Sequence, residues 1–232
     1  IVLEKLPATL LLTLTAFVFS IAVGVSLGVA AARRAGSVLD AAITAGSLVF
    51  FAMPLFWFGL MAIILFSVGL GWLPAYGMST VGAGLHGWRA LLDMGQHLLM
   101  PAATLGLFYV AVYTRVTRAA AIEVMDQDFV KTAHAKGVSE RRIWRRHILR
   151  NAILPVITFV SLQAGAILGG SVLVETVFAW PGMGRLAFDA LFQRDYNVLL
   201  AVFFVSSVMV VFFNLVADLL YSLADPRIEL QK

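Results

Sequence analysis

Five long apolar runs constrain the fold of this chain more than any other feature. They cover about residues 9–32, 41–70, 98–114, 154–174 and 198–223. About 20 apolar residues in a helix, rising about 1.5 Å each, are enough to cross the hydrocarbon core of a bilayer. The runs lack the two-residue alternation of barrel strands. Since 61% of the 232 residues are hydrophobic and only 13% are charged, the sequence predicts an all-α, polytopic membrane protein with a single transmembrane domain over residues 1–232.

The positive charges predict how the chain is oriented in the membrane. Nine of the 17 Lys and Arg residues lie between positions 115 and 150, and Arg33 and Arg34 follow the first run. The positive-inside rule places both stretches in the cytoplasm, with the amino terminus outside and the carboxyl terminus inside. Neither a methionine nor a charged segment precedes the first run. We therefore expect an upstream helix and a parent protein with six spans.

The sequence carries no pattern for catalysis or for metal binding. It has no cysteine, and its four histidines lack the spacing of a ligand set. It also lacks the G-x-x-x-x-G-K-[ST] pattern that cradles phosphate groups. We expect the chain itself to bind no cofactor.

The centres of the apolar runs hold almost no charge. Carriers driven by protons or sodium typically place ionisable groups at this depth. We therefore expect a translocation path lined by mildly polar groups, and the candidates are Ser161, Gln163 and Asn214. The second run contains Pro54, which should tilt or kink its helix.

Two G-x-x-x-G patterns occur inside apolar runs, one at Gly24 and Gly28 and the other at Gly165 and Gly169. Such patterns permit close helix crossings, although they also arise by chance in a chain rich in glycine.

The basic segment between the third and fourth runs reads as a helix, a turn and a second helix. Asp128 can cap the first helix, and Gly137 lies where a helix ends in the left-handed conformation. Ser139 can cap the second helix. That helix has an apolar face of Ile143, Trp144, Ile148 and Ala152, opposite the basic residues Arg141, Arg142, Arg145 and Arg146.

Three interpretations of this segment remain open from the residues alone. Small residues beside the turn and the bulky Phe129 are typical of a knob that docks into a groove on a partner. The arginines and Trp144 would equally suit an amphipathic helix resting on anionic lipid headgroups. A nucleic-acid interface is disfavoured, because no stacking platform or binding fold accompanies the charge.

Four motifs, in order, resemble a known family. They are LPATLLLTL at the first run, AHAKGVSERRIWRRHILRNAILPVIT in the basic segment, ETVFAWPGMGRL after the fourth run and ADPRIE at the end. Together they resemble the membrane subunits of ATP-binding cassette importers of bacteria, in the branch that takes up dipeptides, oligopeptides and nickel. The basic segment is similar to the cytoplasmic EAA loop of that family, although Lys131 and Thr132 replace its glutamate and first alanine.

The resemblance implies a type I importer fold with a cytoplasmic coupling helix, in the bacterial inner membrane. It implies a second permease subunit as a heterodimer mate, two ATPase subunits that bind ATP and Mg²⁺, and an external substrate-binding protein. It implies no nucleic-acid partner. The coupling loop would cover about residues 115–153. The residues that we expect to couple to the ATPase are Phe129, Val130, Thr132, Ala133, Ala135, Lys136, Gly137, Arg141, Arg142 and Arg145.

The segment after the fourth run interrupts the hydrophobic pattern for about twenty residues. Its aromatic residues Phe178, Trp180 and Tyr196 could form a belt at the membrane surface. Its proline and glycines instead favour a shaped turn followed by a surface helix from Arg185 to Phe192. By resemblance it is an external gate or a docking surface for the binding protein, with Phe178, Trp180, Pro181, Gly182 and Gly184 as candidates.

Two other functional classes stay open. A secondary transporter would need inverted repeats and buried ionisable groups, and neither is clear. A structural membrane protein without an ATPase partner would not need the glycine in its cytoplasmic turn. The sequence does not distinguish dipeptides, longer peptides, nickel chelates and other small solutes as cargo.

Overall fold

The described part of the chain is helical. The computed structural model describes residues 1–163 and 166–224, in which helices alternate with loops and no strand occurs. This confirms the predicted fold class. The helices are α1 (Val2–Arg33), α2 (Val38–Ala52), α3 (Leu55–Ala62), α4 (Trp88–Met125), α5 (Asp128–Ala135), α6 (Glu140–Arg142), α7 (Leu149–Gln163), α8 (Ala166–Val177), α9 (Met183–Gln193) and α10 (Tyr196–Ala224). Two π-helical stretches, Ile63–Gly69 and Ile143–Ile148, continue α3 and α6.

Three helices of the described residues are long and apolar enough to cross a membrane. They are α1, α4 and residues Tyr196–Ala217 of α10. The helices Val38–Ala52 and Leu55–Gly69 meet at an angle of 103°. If they form one broken span, the number of spans becomes four. The bend follows from Pro54, which adopts an extended conformation at the start of α3 (φ −61°, ψ 129°). The predicted kink is confirmed there.

The fourth predicted span, residues 154–174, falls on α7 and α8. Residues 164 and 165 lie outside the described part of the chain. The number of five spans therefore stays a prediction.

The chain packs as two compact units made of interleaved stretches. The first contains Ile1–Phe19, Met53–Phe108 and Gly165–Phe212, and the second contains Ser20–Ala52, Tyr109–Ala164 and Phe213–Lys232. Each candidate site described below lies within one unit.

In the second unit, α1 crosses α4 at close range through Gly24 and Gly28. A Cβ added at Gly24 would lie 2.7 Å from the Cβ of Tyr113, and one added at Gly28 would lie 2.6 Å from the Cβ of Thr117. Only glycine permits this approach, so the first G-x-x-x-G pattern is confirmed as a packing contact. The second pattern includes Gly165, outside the described residues, and stays a prediction.

An ion pair joins the start of α2 to α4 in the same unit. The Nε and Nη2 atoms of Arg118 donate to the two carboxylate oxygens of Asp40 over 2.5 and 2.7 Å. The backbone N–H of Gly36 donates to Asp40 Oδ2 over 2.9 Å. A bidentate pair of this kind fixes both separation and orientation, so it anchors the loop at residues 34–37.

Candidate functional site

Helix α5 and the helix after it are joined by a sharp turn. The second helix consists of α6, the π-helical stretch Ile143–Ile148 and α7, which follow one another without a break. We call residues 128–148 the hairpin. Helix α5 ends at Ala135, and Gly137 has a φ of +73°. The N–H of Gly137 donates to the carbonyl of His134 over 2.9 Å, and the N–H of Val138 donates to the carbonyl of Ala133 over 3.2 Å. These two bonds make a Schellman motif, in which the left-handed residue is usually glycine. The predicted turn at Gly137 is confirmed.

One of the two predicted caps lies at the predicted position. Ser139 is the N-cap residue of the second helix, and its carbonyl accepts from the N–H groups of Arg142 and Ile143 at 2.9 and 3.0 Å, but its side chain makes no capping hydrogen bond. The prediction for Asp128 was wrong, because Gln127 is the N-cap and Asp128 is the first helical residue. From that position the Asp128 carboxylate reaches Lys131, one turn on, at 3.1 Å.

The apolar face of the second helix is buried within the chain. Ile143, Ile148 and Ala152 are at most 1% exposed, and Trp144 is 9% exposed. They pack in one cluster with Ala32, Ala120, Ala121, Val130 and Ala133. The guanidinium of Arg33 also lies 5.3 Å from the centre of the Trp144 ring. This face is therefore occupied by the protein's own helices.

The predicted coupling residues divide between the surface and this core. Phe129 is 43% exposed, whereas Val130 and Ala133 are only 2% and 6% exposed. Val130 and Ala133 are thus placed to hold α5 against the cluster rather than to contact another protein. The remaining predicted residues are exposed: Thr132, Ala135, Lys136, Gly137, Arg141, Arg142 and Arg145.

The arginines form a basic cleft on the face of the second helix that is opposite the buried apolar face. The cleft has a volume of about 380 Å³ and is lined by Ser139, Arg141, Arg142, Arg145 and Arg146. Among the described residues, no carboxylate lies within 4.0 Å of these four guanidinium groups. Four like charges on about two turns of helix repel one another, so an acidic partner would be strongly favoured at this cleft.

A contact that the sequence analysis missed connects the two helices of the hairpin. The Nε2 atom of His134 lies 2.8 Å from Glu140 Oε1, and Nδ1 lies 3.0 Å from the carbonyl oxygen of Val130. Both ring nitrogens face acceptors, which favours the doubly protonated ring. The Val130 carbonyl, followed by the Glu140 carboxylate, raises the pKa of His134 above its ordinary value. The sequence signal for this contact was the presence of a histidine and a glutamate on either side of the glycine turn.

In the first unit, the segment between α8 and α9 is folded inward. Phe178 is 1% exposed and Trp180 is fully buried. The belt interpretation is therefore wrong for these two residues. Pro181 is half-buried, and Gly182 and Gly184 are buried. The predicted surface helix is present as α9, Met183–Gln193.

Of the three candidates for a translocation path, the structure describes the side chain of one. Asn214 is exposed on α10. The side chains of Ser161 and Gln163, at the end of α7, lie outside the described part of the chain. Their role stays a prediction.

Comparisons with known proteins agree on one kind of molecule. A family model described as binding-protein-dependent transport system inner membrane component matches residues 24–230. The oligopeptide transport system permease protein AppB of Bacillus subtilis (strain 168) is 43% identical over 99% of this chain and 71% of its own length. The di/tripeptide transport system permease protein DppB of Pseudomonas aeruginosa (strain UCBPP-PA14) is 42% identical over 99% of this chain and 73% of its own. The dipeptide transport system permease protein DppB of Escherichia coli (strain K12) is 38% identical over 98% and 72%.

Solved structures show the same fold at lower identity. A chain of the inward-facing MetNI methionine ABC transporter superposes with a TM-score of 0.74 at 16% identity, covering 97% of this chain and 96% of that chain. A chain of an amino acid ABC transporter with histidines gives a TM-score of 0.64 at 18% identity, covering 94% and 92%.

Proposed function

Because the chain belongs to the family of binding-protein-dependent transport system inner membrane components, we propose that its hairpin is the contact through which a separate ATPase drives transport. The chain is a permease subunit of an ATP-driven importer and an integral protein of the inner membrane. As such it is a transport subunit rather than an enzyme, and its partners include ATPase subunits and a substrate-binding protein.

One observation carries the assignment of the hairpin. The apolar face that an amphipathic helix would insert into lipid is buried in the chain's own core, while the four arginines opposite it stay exposed without an acidic partner among the described residues. A helix that rests on headgroups uses both faces, one in the acyl boundary and one on the lipid phosphates. Here only the charged face is free, which favours docking on a protein.

The hairpin has the mechanical properties that such a contact needs. The Schellman turn at Gly137 and the His134–Glu140 contact join its two helices. Val130 and Ala133 attach α5 to the same buried cluster as Ile143 and Ile148. A displacement of the exposed residues would therefore be passed to the helices behind them, because a close-packed core transmits strain.

The finer parts of the proposal follow from the relatives. The cargo is a dipeptide or a short oligopeptide, as the names of the similar permeases indicate. The second permease is a homologous mate in a heterodimer, and ATP and Mg²⁺ bind to the ATPase subunits. Residues 1–232 act as one transmembrane domain, with the hairpin and the carboxyl terminus in the cytoplasm and the α8–α9 segment on the external side, where it forms a gate or docks the binding protein. Ser161, Gln163 and Asn214 line the path.

Charge reversal tests the hairpin contact. Arg145→Glu should lower the amount of ATPase subunit recovered with the purified complex several-fold, because it places a carboxylate where a carboxylate is expected on the partner. Arg34→Glu is the matched control, an exposed cytoplasmic arginine outside the hairpin. Equal recovery of the ATPase with both variants would contradict the proposal.

A further inference from the structure

Helix α9 begins without a capping side chain of its own. Its N-cap is Gly182, and no side chain of the helix satisfies the first free N–H groups. Such groups cost free energy when they are buried without an acceptor. They are satisfied from other helices. The N–H of Met183 donates to Thr9 Oγ1 over 2.7 Å, and the N–H of Arg185 donates to Glu175 Oε2 over 3.0 Å.

The two acceptors are also bonded to each other. The hydroxyl of Thr9 donates to Glu175 Oε1 over 2.8 Å. The Thr9 side chain thus accepts from α9 and donates to α8 at once. Thr9 is 4% exposed and Glu175 is fully buried. A carboxylate near the positive end of a helix, inside a site shielded from water, holds its donors more strongly than it would at a surface.

The surrounding backbone is shaped to admit these two side chains. A Cβ added at Gly182 would collide with the Glu175 carboxylate, and one added at Gly184 would lie 2.7 Å from the Cα of Val172. The indole N–H of Trp180 donates to the carbonyl of Ala8 over 2.8 Å, one residue before Thr9. The α8–α9 segment is therefore attached to α1 at two neighbouring positions.

We propose that Thr9 and Glu175 form a latch that positions the α8–α9 segment on α1, and that this latch is required for productive engagement of the external binding protein. The inference rests on the proposed function of that segment as the external gate or docking surface. Thr9 and Glu175 are positioning residues, because both are buried and act through the segment that they hold. The segment cannot swing away from α1 without leaving the N–H of Met183 without its acceptor and Glu175 Oε1 without the Thr9 donor in a dry site.

The experiment uses the complete complex in nanodiscs, with labelled external binding protein as the probe. Thr9→Val keeps the shape of the side chain but removes the hydroxyl. It should raise the Kd of the binding protein about tenfold, as expected for the loss of a hydrogen bond to a charged group. Thr9→Ser, which restores the hydroxyl, should stay close to wild type. The basal ATPase rate and the recovery of ATPase subunits should be unchanged in all variants.

Thr13→Val is the matched control. Thr13 is buried one turn further along α1, and among the described residues its hydroxyl donates only to carbonyls of its own helix, at 2.8 and 3.3 Å. A normal Kd for Thr9→Val, or an equal rise for Thr13→Val, would overturn the latch. If no ATPase subunit is recovered with the purified wild-type complex, the proposed function is contradicted. That outcome is distinct from the two that overturn the latch.

A second variant keeps the inference testable if Thr9→Val assembles poorly. Glu175→Gln retains an oxygen for the N–H of Arg185, but its amide cannot accept fully from both sides. Because Thr9 and Glu175 belong to one latch, the double variant Thr9→Val/Glu175→Gln should bind no more weakly than the worse single variant. Additive losses in the double variant would show two independent contacts and contradict the latch.

Discussion

His134 and Glu140 close the hairpin through a 2.8 Å contact between Nε2 and Oε1, across the turn that Gly137 makes. The contact is made fully only by the protonated ring, because the Nδ1 atom already faces the Val130 carbonyl. The pKa of His134 is raised in the folded protein, first by that carbonyl and then by Glu140. Protonation of one exposed side chain thus affects how firmly the two helices are joined.

The stability of the hairpin should therefore depend on pH. A raised folded pKa contributes stability that is fully present below the unfolded value of about 6.5 and is lost as the pH rises through the folded value. The melting temperature of His134→Gln should fall below that of wild type near pH 6 and approach it near pH 9. His147→Gln is the control for loss of a histidine. A difference between wild type and His134→Gln that stays constant with pH would contradict the assignment.

The conformation of Gly137, rather than its size, should decide what can replace it. A Cβ at this position meets nothing within 4 Å, so a substitution costs only the strain of a φ of +73°, about 1–2 kcal/mol for a residue with a Cβ. Gly137→Val should lower ATP-driven peptide uptake in vesicles while membrane insertion stays intact. Gly137→Asn should retain more uptake, since asparagine tolerates this conformation.

Gly36→Val provides a matched control for the same strain elsewhere. Gly36 has a φ of +79° and an equally open surrounding, in the loop between α1 and α2. Uptake should stay near normal in Gly36→Val. If both valine variants lose uptake alike, the hairpin has no special part in coupling.

The crossing of α1 and α4 should be sensitive to a single methyl group. In Gly28→Ala the new Cβ would lie 2.6 Å from the Thr117 Cβ and 2.7 Å from the Thr114 carbonyl oxygen. The helices must separate, which should cost about 1–3 kcal/mol in the free energy of unfolding measured in mixed micelles. Gly46→Ala, where nothing lies within 4 Å, should be neutral or stabilising by up to about 1 kcal/mol. Equal free energies for both variants would show that the crossing is loose.

Features set by neighbouring residues were predicted well from the sequence. The glycine turn, the position of Ser139 at the start of a helix and the apolar face of Ile143, Trp144 and Ile148 depend on local conformation and on helical period. The kink at Pro54 depends on one residue. The error at Asp128 was a shift of a single position, which is common at helix ends.

Features made by distant residues could not be predicted in this way. Thr9 and Glu175 are 166 positions apart, and no local pattern indicates that they meet. Phe178 and Trp180 are of residue types that are common in interfacial belts. Both are buried as a result of tertiary packing, which the local sequence does not indicate. Val130 was predicted to contact a partner, but it is buried in the chain's own core. Over a few residues, an exposed helix and a packed helix can have the same sequence pattern.

Cross-linking from the hairpin to the ATPase tests the central claim most directly. Residues 1–232 contain no cysteine, so a thiol placed at the exposed Ala135 would be unique within them and can carry a photoreactive group. Ala35→Cys, at another exposed alanine of the same unit, is the control. We predict a strong adduct with the ATPase subunit from position 135 and little from position 35. An ATPase adduct that is absent at position 135, or equally strong at both positions, would contradict the account.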